Sequence, residues 1–241
     1  MNEPILRNKQ SFDYGCHSID YTLLYCERKT MEIAVHPDCS VVVKASPGSD
    51  ISLIEKKICK RARWILRQRN YFLQFTPKTP DRFYINGETH RYLGKHYRLT
   101  IAQGSENSVK LSRGFFHVTL RDEPHPETTK KLLRKWYSEK AALQFNNSME
   151  RCWPKIHGVA FPKPAIFIKW MRKRWGSLSD KGMVTLNPEL VKAPKECTDY
   201  VVTHELCHLK YHDHSPEFYK LLDAVIPGWE KVKHRLELSL F

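Results

Sequence analysis

Between Ser11 and Lys44 the apolar positions come as short runs or in alternation: Tyr21-Thr-Leu-Leu-Tyr, Met31-Glu-Ile-Ala-Val and Val41-Val-Val-Lys, parted by polar turns. A period of two is what a strand needs, because successive side chains point to opposite faces. The segment therefore predicts an antiparallel meander, closed by Ser46-Pro47-Gly48. Ser49 or Asp50 then caps a helix, since Ile54, Ile58, Ala62, Ile65 and Phe72 recur near helical spacing; Pro77 and Pro80 stop it. A second β region runs from Arg82 to Leu120, with Asn86-Gly87 as a two-residue hairpin signal and Ser112-Arg113-Gly114 as another turn.

Beyond Pro124-His125-Pro126, the stretch Glu127 to Trp153 has neither Gly nor Pro. It carries Leu132, Leu133, Trp136, Tyr137, Ala141, Leu143 and Phe145 as an amphipathic helix would. Two strands follow, in Ala165–Trp170 and Gly182–Asn187, with a turn at Asp180-Lys181-Gly182. Pro188 and Pro194 bracket a short helical turn. From Lys195 to about Tyr211 the spacing fits a helix that buries Val201, Val202, Leu206 and Leu209. The predicted class is α+β, with residues 1–123 an antiparallel, β-rich N-terminal region bearing one basic helix and residues 124–241 a second domain.

Composition narrows the setting. A chain of 241 residues is one large domain or two small ones, and 41% apolar with 27% charged residues is ordinary for a soluble fold. No apolar run approaches the roughly 20 residues that cross a bilayer, and Met1 to Gln10 lacks a secretory apolar segment. A cytoplasmic protein without a membrane partner is expected. Seven cysteines without regular spacing suit a reducing compartment, with Cys197 and Cys207 as packing residues. The net charge of +14 attracts polyanions, nucleic acid foremost. Its densest run is Lys56, Lys57, Lys60, Arg61, Arg63, Arg67 and Arg69, which is equally a solvated helix face.

The chemistry is concentrated in His204-Glu205-Leu206-Cys207-His208. Two imidazoles four residues apart project from one helix face, close enough to grip a single ion, and Glu205 between them can reach a water beside it. A catalytic zinc takes three protein ligands and keeps one position open. His214 is the best third ligand, because Tyr211-His212-Asp213 can turn the chain back and Ser215-Pro216 reads as the cap and first position of another helix. His212, Glu217 and Glu230 compete for that place. Three imidazoles favour zinc (Zn2+), with Glu205 as general base toward a zinc-activated water.

The quoted pentad stands within a longer run of matches: Arg172-Lys-Arg174-Trp175-Gly176-Ser177, then Thr185-Leu186-Asn187-Pro188-Glu189-Leu190, then Asp199-Tyr200-Val201-Val202-Thr203, and His214-Ser215-Pro216-Glu217-Phe218. With these residues the chain resembles the YgjP-like zinc metallopeptidases, relatives of the SprT-like and WLM-type minimal zincins. Val41-Val-Val-Lys-Ala-Ser-Pro, the basic helix to Trp64 and Gly87 to Leu99 extend the likeness toward the N-terminus. The resemblance implies a minimal zincin-like C-terminal domain with zinc on His204, His208 and His214, Glu205 as the catalytic glutamate, and a peptide or protein substrate. It departs at Leu178, where the family commonly has Cys.

Arg174, Trp175, Ser177 and Asn187 read either as a substrate-binding strand or as support for the zinc helix. Trp170 and Trp229 read as packing. A second metal site from Cys16, His17, Cys26, His36 and Cys39 is conceivable despite irregular spacing. Three functions follow. The first is a zinc-dependent metallopeptidase, which its positive charge could recruit to DNA, since SprT-like relatives act on DNA-bound proteins. The second is a nucleoside triphosphate (UTP) pyrophosphohydrolase, an activity attributed to the YgjP family, although no Gly-rich phosphate cradle is present. The third is a non-catalytic basic nucleic-acid-binding protein with a structural zinc, which would have no use for Glu205.

Overall fold

A computed structural model describes residues 7–28, 30–36, 38–74, 80–156, 162–172 and 174–240. The chain is α+β, as its periodicities predict, and divides into two compact units, residues 1–78 and 79–241.

The first unit holds β1 (Arg7–Tyr14), β2 (His17–Tyr25), β3 (Glu32–Val35), β4 (Val41–Ala45) and α1 (Ile51–Leu73). Ile19, Tyr21 and Leu23 of β2 and Val41, Val43 and Ala45 of β4 alternate inward and form a core with Ile54, Ile58, Ala62 and Ile65 of α1. Asp50 caps α1, its carboxylate accepting from the Ser52 N–H at 2.9 Å. The sheet is not the expected meander. Its order is β1-β2-β4-β3, with β4 parallel to β2 and antiparallel to β3. Three of the five residues of β4 are buried and none of β3 is, so the more apolar strand takes the interior position. Helix α1 ends ahead of Pro80; Pro77 lies outside the described residues. Its Lys56, Lys57, Lys60, Arg61, Arg63 and Arg67 are exposed.

The second unit begins with a sheet of β5 (Thr89–Tyr92), β6 (Lys95–Gln103), β7 (Ser108–Ser112) and β8 (Phe115–Leu120), in the order β5-β6-β8-β7. Asn86-Gly87 is a turn, but it leads into β5. The hairpin itself is Leu93-Gly94, both at positive φ (49° and 78°), and its two N–H groups donate to Val191 and Lys192 carbonyls at 2.7 and 3.1 Å. That anchoring offsets the strain of a leucine in the left-handed region.

Helix α2 (Pro126–Cys152) buries Leu133, Trp136, Tyr137, Ala141, Phe145 and Met149 along one face. Phe116 of β8 meets Trp136 and Tyr137 edge-on or tilted at centroid distances of 4.9 and 5.8 Å, and Tyr92 meets Trp136 at 4.9 Å. The second sheet therefore shares a core with α2 and everything after it. This is why the division falls near residue 78, earlier than the boundary at residue 123 read from the proline-rich loop. A loop can be exposed and polar without parting two cores.

The rest of the unit is β9 (Ile166–Ile168), β10 (Gly176–Leu178), β11 (Val184–Leu186), a 3-10 turn (Pro188–Lys192), α3 (Lys195–Cys207), α4 (Pro216–Val225) and α5 (Trp229–Leu240). The small sheet has the order β10-β11-β9, which leaves β10 at an edge. Asp199 ties α3 to α2, accepting from Ser148 Oγ at 2.6 Å and from two Arg151 nitrogens at 2.6 and 3.2 Å. Among the described residues no helix is long and apolar enough to cross a membrane.

Candidate metal centre

Helix α3 is covered on nearly every side: Cys197, Tyr200, Val201, Val202, Leu206 and Cys207 are all buried. Only the strip bearing His204 and His208 opens on a cleft. The helix stops at Cys207, short of Tyr211, where Leu209 and Lys210 donate to the carbonyls three residues back, those of Leu206 and Cys207, in tighter turns. The chain then reverses, and Ser215 caps α4 with Oγ accepting from Phe218 N–H at 3.4 Å while Pro216 takes the first helical position. His214 is thereby fixed between two helices.

One ligand nitrogen from each of His204, His208 and His214 lies within 4.8 Å of the others, and Nε2 of His204 is 3.1 Å from Nε2 of His214. A tetrahedral ion with bonds of about 2.0–2.1 Å separates its nitrogens by roughly 3.4 Å, so this donor set fits one such ion. His208 Nδ1 lies 3.0 Å from the Tyr211 carbonyl, which can only accept; Nδ1 carries the proton and Nε2 offers its lone pair. Burial, together with the neighbouring His208 and His214, pushes His204 down to about 4, and burial lowers His208 as well. Both imidazoles are neutral at physiological pH, the form in which a metal can be bound.

Beneath them Phe218, fully buried, meets all three rings at centroid distances of 4.7–5.0 Å. Tyr219 stacks on His214 and on Trp229, and Trp229 in turn on Tyr200, so the exposed histidine is backed by a ladder of rings.

Glu205 is 7% exposed and lies beneath β10. Burial raises its carboxyl to about 7, opposed by the Leu178 N–H, which donates to it, and by the charge of Arg174. The approach is close: a Cβ on Gly176 would stand 2.7 Å from Oε1 and 2.9 Å from Cγ of Glu205. A cleft of about 570 Å³ opens over these groups, lined also by Arg174, Ser177, Ser179, Asp180 and His212.

Of the strand residues singled out in the sequence, Arg174 and Ser177 face the cleft. Trp175 packs against the core instead. Asn187 is 1% exposed; its amide donates to the carbonyls of Met171 and Arg174 at 2.8 and 3.2 Å, and its Oδ1 caps the 3-10 turn. It clasps the segment leading into β10 and does not reach the cleft. Trp170 and Trp229 are packing residues as read. His212 lines the cleft without joining the triad, and Glu217 and Glu230 neither join the triad nor line the cleft. Among the described residues no other group of three or more metal-binding side chains assembles, so Cys16, His17, Cys26, His36 and Cys39 form no site. Gly176 and Phe218 were not identified as site residues from the sequence; both stood inside the quoted motifs, but their roles depend on contacts across the fold.

Three imidazoles and a buried carboxylate facing one cleft are the equipment of a metallopeptidase. A model of the YgjP-like metallopeptidase domain matches residues 29–239, and the chain belongs to that family. Among solved structures, the crystal structure of the metallopeptidase zymogen of Pyrococcus abyssi abylysin is similar at 23% identity and a TM-score of 0.34, over 38% of this chain and 90% of that one. No curated protein matches the chain.

Proposed function

We propose that this chain is a zinc-dependent metallopeptidase in which His204, His208 and His214 hold the metal and Glu205 is the general base. The observation that carries this reading is the convergence of three imidazoles beside a buried carboxylate, under an open cleft with a strand along one wall. A zinc ion so held supplies a polarising charge for the scissile carbonyl and lowers the pKa of a water.

The protein's own groups then account for the proton. Burial holds the Glu205 carboxyl up, at about 7 before a cation pulls it back down, and so makes it a better base for taking a proton from water and returning it to a leaving amine. The Leu178 N–H orients the carboxylate, and Arg174 favours its ionised form. Substrate lies in the cleft against β10, with Arg174 and Ser177 as its polar contacts. The exposed cationic face of α1 supports an added affinity for nucleic acid or another polyanion, which would bring protein substrates close.

The test sets metal-loaded protein against a peptide library and against nucleoside triphosphates in parallel. Cleavage of peptides alone is expected. Turnover of UTP with no peptide cleaved would replace the reading by pyrophosphohydrolysis, and turnover of neither, with zinc bound, would leave a structural metal.

Gly176→Ala examines the fit between β10 and Glu205. The methyl group cannot coexist with the carboxylate where it stands, and a shift of about 1 Å in a reacting group costs on the order of 10²-fold in rate. The expected result is a fall in kcat of that size with zinc stoichiometry unchanged. A rate within about twofold of the parent would mean that the placement of Glu205 is immaterial.

A further inference from the structure

A cavity larger than the histidine cleft lies elsewhere in the second unit. About 810 Å³ opens between the segment 80–84, α2, the segment 170–172 and the end of α5. Arg82, Arg91, Lys130, Arg134, Arg172 and Lys192 line it against only two carboxylates, Asp81 and Glu189.

Half of these cations are already engaged. Lys192 pairs with Glu189 at 2.5 Å, Lys130 with Glu127 at 3.2 Å, and Arg91 donates to the Ser239 carbonyl. Among the described residues, Arg82, Arg134 and Arg172 have no carboxylate within 4.0 Å.

The walls that carry these three are held in place. Glu88 accepts from the Phe83 and Tyr84 N–H groups at 2.9 and 2.8 Å, and buried His90 joins it at 3.0 Å, which fixes the extended segment bearing Arg82. Trp170 donates to Ser138 Oγ at 3.1 Å, and the Arg134 guanidinium lies over its ring at 4.3 Å. Arg82 and Arg134 line the same cavity, and the charges of both act on the phenol of Tyr84.

Three guanidiniums gathered around one cavity, with Asp81 the one lining carboxylate not taken up by a lysine, repel one another, and their planar forks match the oxygens of an oxyanion. One carboxylate would satisfy one of them. Three around a common volume match negative charge that is itself clustered.

We propose that this cavity is a second binding site, for a ligand with adjacent phosphate groups, and that Arg82, Arg134 and Arg172 are its anchors. The phosphates could belong to a small oligophosphate ester or to a nucleic acid strand. The site is distinct from the histidine cleft, although one segment serves both: Arg172 lines this cavity and Arg174 the other. It stands whether or not the peptidase reading does, because nothing in it depends on the metal.

Inorganic tripolyphosphate is the first probe, titrated into the full chain by calorimetry with zinc content measured before and after. Saturable one-to-one binding is expected, weakened about tenfold or more in Arg134→Gln/Arg172→Gln and in Arg82→Gln. Circular dichroism and melting should be unchanged in both, and Lys110→Gln, at an exposed lysine of β7 outside the cavity, should bind as the parent does. Arg134→Lys, which keeps the charge, should recover part of the affinity. A single-stranded oligonucleotide is the second probe. Competition with tripolyphosphate identifies strand phosphates as the source, and its absence identifies a small ester. No binding, equal binding in the arginine variants, or heat that merely accompanies loss of zinc would overturn the proposal.

Discussion

Glu205→Gln is expected to lower peptide-hydrolysing kcat by about 10³-fold or more while the protein keeps its zinc, since general-base groups contribute about 10²–10⁴-fold. The substitution is nearly isosteric in a site where the carboxylate is packed against the backbone of Gly176 and bonded to the Leu178 N–H. The amide oxygen can keep that hydrogen bond, so the fold has no reason to change. What disappears is the ability to take a proton. Steady-state rates on the best peptide from the library, with zinc determined by atomic absorption on the same sample, make the comparison. A variant that cleaves at the parent's rate would remove Glu205 from the mechanism. One that loses its zinc as well would show that the carboxylate supports the metal instead.

The second large effect is on the metal itself. His208→Ala should weaken zinc binding by about 10²-fold or more, given that structural zinc sites gain about 10–16 kcal/mol from four ligands, or roughly 3 kcal/mol for each. His212→Ala, four residues further along, should leave affinity as it is, because His212 lines the cleft without joining the three converging rings. Competition with a chromophoric chelator measures both, and equal losses would assign the ligands differently. The sign of the pH dependence follows from Glu205. Its carboxyl sits near 7 in the metal-free protein because it is buried, and a cation close by must pull it down. Zinc binding then releases protons, so affinity should rise with pH through about 7. An affinity flat across that range would place the ion too far from Glu205 to be felt.

Much of the molecule was legible along the chain. The buried positions of α1 are Ile54, Ile58, Ala62 and Ile65, as their spacing indicates. Helix α2 begins and ends within a residue of the Gly- and Pro-free stretch. The cap at Ser215-Pro216 forms where the residue types demand it. These features depend on residues a few positions apart, and local spacing carries them. Strand order was not legible. That β4 enters between β2 and β3, and that Leu93-Gly94 makes the hairpin while Asn86-Gly87 only leads into it, depend on which faces find a core to cover.

The site divides along the same line. The two histidines and the carboxylate on α3 could be singled out from the sequence because His204, Glu205 and His208 lie within about one helical turn, and a helix has a known period. The sequence by itself also determined the class of fold and the excess of positive charge. Only the tertiary structure decided that Gly176 must lack a side chain so that Glu205 can lie beneath β10, that Phe218 forms a floor under three imidazoles, and that Asn187 clasps the chain instead of facing substrate. It alone gathered Arg82, Arg134 and Arg172, some 90 positions apart from first to last, around one cavity. Contacts between distant segments follow from the packing of whole surfaces, and no period along the chain encodes them.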